Sequence, residues 1–144
     1  HLSLRRQRQM CIRDRADMDD FRMKFDSLEE QQEDPDSIYN YVKQVIRVRN
    51  QNPVIARGTT AYLEQYSGEQ CFALTRSYEG SNLLLLGNTS AEAVSVDLTG
   101  LTVGGTTAEE LVLLGELYTG EETAERAGTV VTLPAYSILI LGEE

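Results

Sequence analysis

The chain has 144 residues, 41% of them hydrophobic, and a formal net charge of −10. That length suits one ordinary domain and is short of the roughly 250 residues of a (β/α)8 barrel. No run of 18 apolar residues occurs, so no segment reads as a membrane span, and the acidic balance argues against a nucleic-acid partner, whose phosphates need clustered Lys and Arg.

Residues 1–15 are a compositional island. They hold Arg5, Arg6, Arg8, Arg13 and Arg15 against one acid, Asp14. Such a stretch can be a nucleic-acid or membrane-binding arm or a transit peptide. The run from Met10 to Arg15, M-C-I-R-D-R, also reads as the in-frame translation of a sequencing adapter, and on this preferred reading residues 1–15 are not native. Residues 16–25 are acidic without a clear period and read as loop.

Ser27 and Glu30 form the S-x-x-E capping box, which predicts a short helix over 28–32. A longer helix is expected over 35–50. Asp34 is a suitable N-cap and Pro35 fits the first helical position. Ile38, Val42, Val45 and Ile46 recur at helical spacing, with Tyr41 and Val48 widening the stripe. Arg47 and Arg49 suit the last turn, and Asn50 to Pro53 stops the helix.

Beyond Pro53 the pattern changes to short strands. They are expected over 59–66, centred on Tyr62 and Leu63, and over 71–78. The continuous apolar run from Leu83 to Leu86 reads as a central strand. Val94, Val96 and Leu98 alternate as in a half-buried strand. Residues 100–107 read as loop, with Gly104 and Gly105 as a turn. Residues 108–118 read as strand, despite an Ala-Glu-Glu start that suits a helix. Residues 120–128 read as an acidic loop, and strands over 129–133 and 136–141 close the chain. The fold class expected is mainly β: an antiparallel β-sandwich of Greek-key type, preceded by one amphipathic helix. The wide apolar face of that helix has no helical partner in the chain.

Few residues invite chemistry. Cys11 and Cys71 lack metal or redox spacing, and Cys71 is expected to be a buried, inert thiol. The only histidine is His1, which leaves the serines and threonines without a histidine base. Asp17, Asp19, Asp20 and Asp26 offer oxygen donors but lack the glycine and closing glutamate of a calcium loop; they read as a solvated loop. Glu29 and Glu30 are neighbours on a helix and point apart. Tyr41 and Tyr136 are expected to pack rather than to stack on sugars. No tryptophan is present.

The order of helix, short strands and closing apolar strand resembles the end of α-amylase-family glycoside hydrolases. The residues that carry the resemblance are the segment from Ser37 to Asn50, with Ile46, Arg47, Val48 and Arg49 as its aliphatic-arginine signature, and the I-A-R-G lead-in at 55–58. Phe72, Ala73 and Arg76 match an F-A-x-x-R strand. Leu83, Leu84, Asn88 and Ser90 match an L-L-V-x-x-N-x-S strand and turn. Leu133, Pro134, Tyr136 and Leu141 match the terminal L-P-P-Y-x-x-x-x-L. Beyond the non-native 1–15 read above, the resemblance, which covers about 16–141, implies two parts: the end of a truncated (β/α)8 barrel over 16–57 and an all-β C-terminal domain over 58–144. It also implies a retaining parent enzyme acting on α-glucosidic bonds of starch-like glucans or maltooligosaccharides, with an Asp nucleophile and a Glu acid/base on barrel strands. None of those carboxylates falls in this sequence, so no catalytic, substrate-binding or metal residue is assigned. The implied partner is the parent barrel in cis, with no cofactor here and any calcium belonging to the parent. An extracellular, cell-surface or cytoplasmic parent is equally compatible. A freestanding β-sandwich carbohydrate-binding or adhesion module is the alternative; it needs an exposed aromatic strip or a helix whose apolar face folds onto its own sheet, and sealing of Val42, Val45 and Ile46 by the sheet would favour it.

Overall fold

A computed structural model describes residues 26–143. The basic stretch 1–15, the acidic stretch 16–25, and with them His1, Cys11, Asp17, Asp19 and Asp20, lie outside the described residues.

Among the described residues three helices come first: α1 (Leu28–Glu33), α2 (Ile38–Gln51) and α3 (Pro53–Arg57). Ten strands follow. They are β1 (Thr59–Tyr62), β2 (Cys71–Tyr78), β3 (Ser81–Asn88), β4 (Val94–Asp97), β5 (Thr102–Val103), β6 (Thr106–Thr107), β7 (Val112–Leu117), β8 (Glu125–Ala127), β9 (Val130–Leu133) and β10 (Ile138–Gly142). A five-stranded sheet has the order β1-β2-β3-β10-β7 and a three-stranded sheet the order β4-β9-β8. All pairings are antiparallel, and the chain crosses repeatedly from one sheet to the other. This is the expected mainly-β sandwich.

The middle of the large sheet explains its leucine runs. β3 lies between β2 and β10 and is covered on both faces. Leu84 and Leu86, with Leu139 and Leu141 of β10, face the small sheet and meet Val96, Leu98, Val131 and Leu133. Leu83 and Leu85, with Ile138 and Ile140, face the other way and meet Tyr41, Val45 and Val48 of α2 and Val54 and Ile55 of α3. Successive strand residues point to opposite faces, so a strand buried on both sides must be apolar at every position. Each fully buried leucine contributes about 1.5 to 3 kcal/mol relative to exposure. The molecule is thus three layers deep, with helices, large sheet and small sheet in that order.

Several expectations change at the element ends. α2 starts at Ile38, three residues after Pro35, and its N-cap is Ser37 rather than Asp34. The reason lies in α1. Its C-terminal carbonyls need donors, and they find them in the Ser37 hydroxyl, which donates to the Gln31 carbonyl, and in Asn40 Nδ2, which donates to Gln31 O at 3.0 Å and Asp34 O at 2.7 Å. Residues 34–36 turn the chain to bring these groups round. The capping box forms as expected: Glu30 Oε2 accepts from the Ser27 N–H at 2.7 Å and Ser27 Oγ accepts from the Glu30 N–H at 3.3 Å.

α3 was not anticipated. Asn52 closes α2, its N–H and side chain both donating to Val48 O, and Pro53 opens the new helix. Arg76 of β2 then binds the end of α3. Its guanidinium donates to Val54 O at 3.2 Å, Gly58 O at 2.6 Å and Thr60 Oγ1 at 2.7 Å. The strand expected over 59–66 stops at Tyr62, which is exposed, and a 3₁₀ turn over Glu64–Tyr66 follows. Gly104 and Gly105 take positive φ and close a small hairpin of β5 and β6 inside the expected loop. Ala108–Glu110 is a 3₁₀ turn and β7 follows it, so both readings of that segment hold in succession. The acidic loop contains β8. Cys71 is half-buried beside the inter-sheet core, a free thiol but not a fully buried one.

Gly115 sets the distance between helix and sheet. A Cβ there would come within 2.8 Å of Val48 Cγ1. Gly115→Ala should therefore lower stability by about 1 to 3 kcal/mol through overpacking. Gly120, with nothing within 4 Å of such a Cβ, is the control, and Gly120→Ala should stay within about 0.5 kcal/mol of the parent in urea unfolding.

Three exposed carboxylates hold backbone turns. Backbone and side-chain hydrogen bonds from Ser27 keep Glu30 below its ordinary 4.5, and those from Thr107 do the same for Glu110. The Thr99 hydroxyl and N–H, with the Thr129 hydroxyl, keep Asp97 below 3.8. A carboxyl whose pKa is lowered by folding contributes stability above its unfolded value, and this is lost as pH falls through the folded value. The melting temperature should decline as pH drops below 4.5 and on through 3.8. Asp97→Asn should make that decline shallower in a melting series against pH.

Candidate functional site

The described residues group no three His, Cys, Asp or Glu side chains as a metal site. No described helix is long and apolar enough to cross a membrane. Of the four aspartates considered for calcium, only Asp26 is described, and it is exposed. Glu29 is exposed on α1, and Glu30 is engaged in the capping box. Two surface features remain, and both involve α2.

The first is an apolar stripe. Tyr41, Val45 and Val48 turn toward the sheet, and Val48 is 8% exposed. Ile38, Val42 and Ile46 recur every four residues along the neighbouring side of the same helix. They are 70%, 46% and 52% exposed. Leu28 of α1, 59% exposed, joins them, and Gln31, Tyr39 and Lys43 complete the walls of an open groove. The sheet packs on the helix but covers only part of its apolar arc. The remainder forms a contiguous apolar patch, a feature that in folded proteins marks a contact surface.

The second is a small concavity of about 190 Å3 where the start of α2 meets the segment after β7. Asp36, Ile38, Tyr41, Gln44, Tyr118 and Thr119 line it. The Tyr118 hydroxyl donates to Glu116 Oε2 at 2.8 Å and accepts from the Ala124 N–H at 2.9 Å. Burial pushes the Tyr118 phenol up from its ordinary value, and the neighbouring Glu116 carboxylate adds to the rise. Gln44 Nε2 donates to Glu116 O at 3.2 Å, and the Thr119 hydroxyl donates to Ala135 O at 3.4 Å. The next residue, Tyr136, has φ 49° and is 52% exposed. It does not pack as the sequence suggested. Nothing in the pattern around it signals a left-handed backbone, which bulky residues rarely adopt.

Two residues of the motifs quoted above act as structural pins. Arg76 joins β2 to the end of α3, as described. Asn88 is 3% exposed at the end of β3. Its Nδ2 donates to Glu92 O at 2.7 Å, Leu133 O at 3.2 Å and Pro134 O at 2.9 Å, and its Oδ1 accepts from the Ser90 N–H at 2.9 Å. The sequence placed Asn88 in a strand-and-turn motif without showing what it binds.

The two sides of α2 should respond differently to substitution. Val42→Lys should change stability by less than about 0.5 kcal/mol, because the position faces outward. Val48→Ala should cost about 1 kcal/mol or more through lost packing. Urea unfolding of the two variants checks the contrast.

No family model matches the chain, and no curated protein matches it. Solved structures do. Amy13B of Eubacterium rectale is 35% identical, with a TM-score of 0.74, over 86% of this chain and 23% of its own. The α-amylase of H. orenii has the same fold at 23% identity and a TM-score of 0.63, over 83% of this chain and 23% of its own. MutB, a trehalulose synthase also solved with its substrate sucrose, is 25% identical at a TM-score of 0.62, over 81% of this chain and 20% of its own. The chain thus spans less than a quarter of the length of each of these enzymes. What residues 26–143 form, three helices on a two-sheet sandwich, matches a segment of these α-amylase-family enzymes.

Proposed function

We propose that this chain is the C-terminal part of an α-amylase-like glycoside hydrolase acting on α-glucosidic bonds of starch-like glucans or maltooligosaccharides. Its own role is structural, and the catalytic carboxylates belong to the parent enzyme. In this reading residues 16–57 finish the catalytic barrel, with α2 as its last long helix. Residues 58–144 are the β-domain that stands beside it, and residues 1–15 are foreign to the protein.

One observation carries the reading. α2 is apolar on two adjoining sides, one held by the sheet and the other, Ile38, Val42 and Ile46, uncovered. A helix of a (β/α)8 barrel lies in an outer ring against its strands, so the last one needs an apolar side toward the barrel. Any domain packed outside it needs a second. Sealing of Val42, Val45 and Ile46 by the sheet would have favoured the freestanding module, and of the three only Val45 packs on it. The similarity to Amy13B, an α-amylase and MutB supports an α-glucosidic substrate, and MutB's sucrose brings a disaccharide within the same class.

The test starts from the genomic reading frame upstream of Ala16. The extended product should release reducing sugar from starch or maltoheptaose, while the 144-residue chain alone releases none. Activity of the extended product on sucrose only would replace the glucan substrate. Hydrolysis of starch by the 144-residue chain would overturn the structural role.

A further inference from the structure

We infer that the open side of α2 is a self-complementary surface on which a second copy of this chain docks antiparallel, across a two-fold axis at Val42. The inference goes beyond the proposed function and stands without it, because it concerns the 144-residue chain by itself.

The pattern of the stripe carries it. Ile38, Val42 and Ile46 stand four residues apart on α2 and are exposed, so they line one side of the helix. The order Ile-Val-Ile is symmetric about its centre. A two-fold dimer joins the same patch on both copies, residue i meeting j and j meeting i. An antiparallel pairing centred on Val42 sets Val42 against its own copy and, on either side, Ile38 against Ile46. Apolar side chains then meet apolar side chains along the whole stripe. The groove gives them a seat, since Gln31 and Leu28 of α1 form part of its wall and Leu28 adds exposed apolar surface.

The charges fix the direction. Arg49 lies three residues beyond Ile46, on the same side of the helix, and is exposed. It stands seven residues past Val42, so in the antiparallel pairing it faces the residue seven before it in the other copy, Pro35. Pro35 is flanked by Asp34 and Asp36, both exposed. Each copy therefore brings a cation from the last turn of α2 to the acidic start of α2 in the other. That end of the helix also favours negative charge and the far end positive charge through the helix dipole. A parallel pairing would set Arg49 against Arg49 and the two acidic starts against each other. Lys43 stands on the rim of the groove near the axis, where its long stem lets the ammonium reach water.

Size sets the strength. α2 has 14 residues, a length of about 21 Å at 1.5 Å per residue. One helix face of that length falls short of the roughly 800 Å2 per partner of a standard interface, so the dimer is weak and reversible. The net charge of −10 on each copy opposes association at low salt. At about 0.15 M ionic strength, charges further apart than about 8 Å are screened, and the close Arg49 pairs keep more of their attraction. Any body packed on this side of α2, a barrel included, would displace the second copy.

The test is sedimentation equilibrium of the 144-residue chain at about 0.15 M salt. Between about 5 and about 500 µM the mass should rise from one chain toward two, with a Kd of about 10 to 100 µM. Val42→Lys sets two ammonium groups face to face on the axis and should abolish the dimer over that range. Its urea unfolding at the dilute, monomeric end should match that of the parent, which separates loss of docking from loss of folding. Arg49→Glu should weaken the dimer about tenfold. Adding Asp36→Arg to Arg49→Glu should restore most of the affinity, as the antiparallel register requires. A monomer at every concentration, the outcome if residues before Asp26 cover the stripe instead, would overturn the inference. So would a dimer unmoved by Val42→Lys, or a double variant no tighter than Arg49→Glu alone. If the extended enzyme cleaves α-glucans and the 144-residue chain stays monomeric, the inference fails alone. If the chain dimerises through α2 and the extended product leaves α-glucosidic bonds intact, the proposed function fails and the dimer stands.

Discussion

The two central strands of the large sheet, β3 and β10, are buried on both faces, and the rest of the structure follows from that constraint. Leu83 to Leu86 alternate between two cores, as do Ile138 to Leu141. One sheet cannot shield both sets. The small sheet covers one side and the helices cover the other. Neither cover is optional, because an exposed leucine row forfeits about 1.5 to 3 kcal/mol per residue. This is why a helix precedes an all-β segment in a chain of this length.

Apolar burial brings the layers together but does not set their relative position. That is done by a few close contacts and buried polar groups. Gly115 admits Val48 to the sheet surface. Arg76 fixes β2 to the end of α3, and Gln44 ties α2 to β7. Asn88 holds the end of β3 to the chain around Pro134 by satisfying several backbone carbonyls at once. Buried carbonyls need partners, so one amide that serves three of them fixes where those segments lie. Two of the motif residues that resemble α-amylase-family enzymes, Arg76 and Asn88, are among these pins, so for them the resemblance reflects architecture.

The helix α2 is where architecture meets function. Its apolar arc is wider than the roughly 100° stripe of a helix with one buried side. The inner part is used by the sheet. The outer part, Ile38, Val42 and Ile46, stays 46% to 70% exposed. A helix shared between two packed bodies has this character, and the similarity to about a fifth of the length of several α-amylase-family structures agrees with it. The polar corner at the start of the same helix differs in kind. Gln44, Tyr118 and Thr119 are held there by hydrogen bonds to Glu116, Ala124 and Ala135.

Much of this was legible beforehand, because it depends on local chemistry and on periodicity. The helical spacing from Ile38 to Val48, the Ser27–Glu30 box, the span of β2 and the leucine run of β3 all follow from residues close in sequence. The family resemblance rested on the same segments. Long-range partners decided the rest. Asp34 and Pro35 are sound start signals for a helix, yet α2 begins at Ile38, because Ser37 and Asn40 are drawn to the carbonyls of α1. The periodicity of α2 marked a wide apolar face but not its division into a covered and an open side, since that depends on where β7 and β10 lie. The left-handed Tyr136 had no signal at all, and neither did the polar corner, which joins residues about 80 positions apart. The sequence by itself determined the longer elements, the sandwich class and the central place of the Leu83–Leu86 strand, through periods of two and of 3.6 residues, while α3, β5, β6 and β8 escaped it. Only the tertiary structure decided which side of α2 stays open and which polar groups meet beside it, because those depend on contacts between segments far apart in the chain.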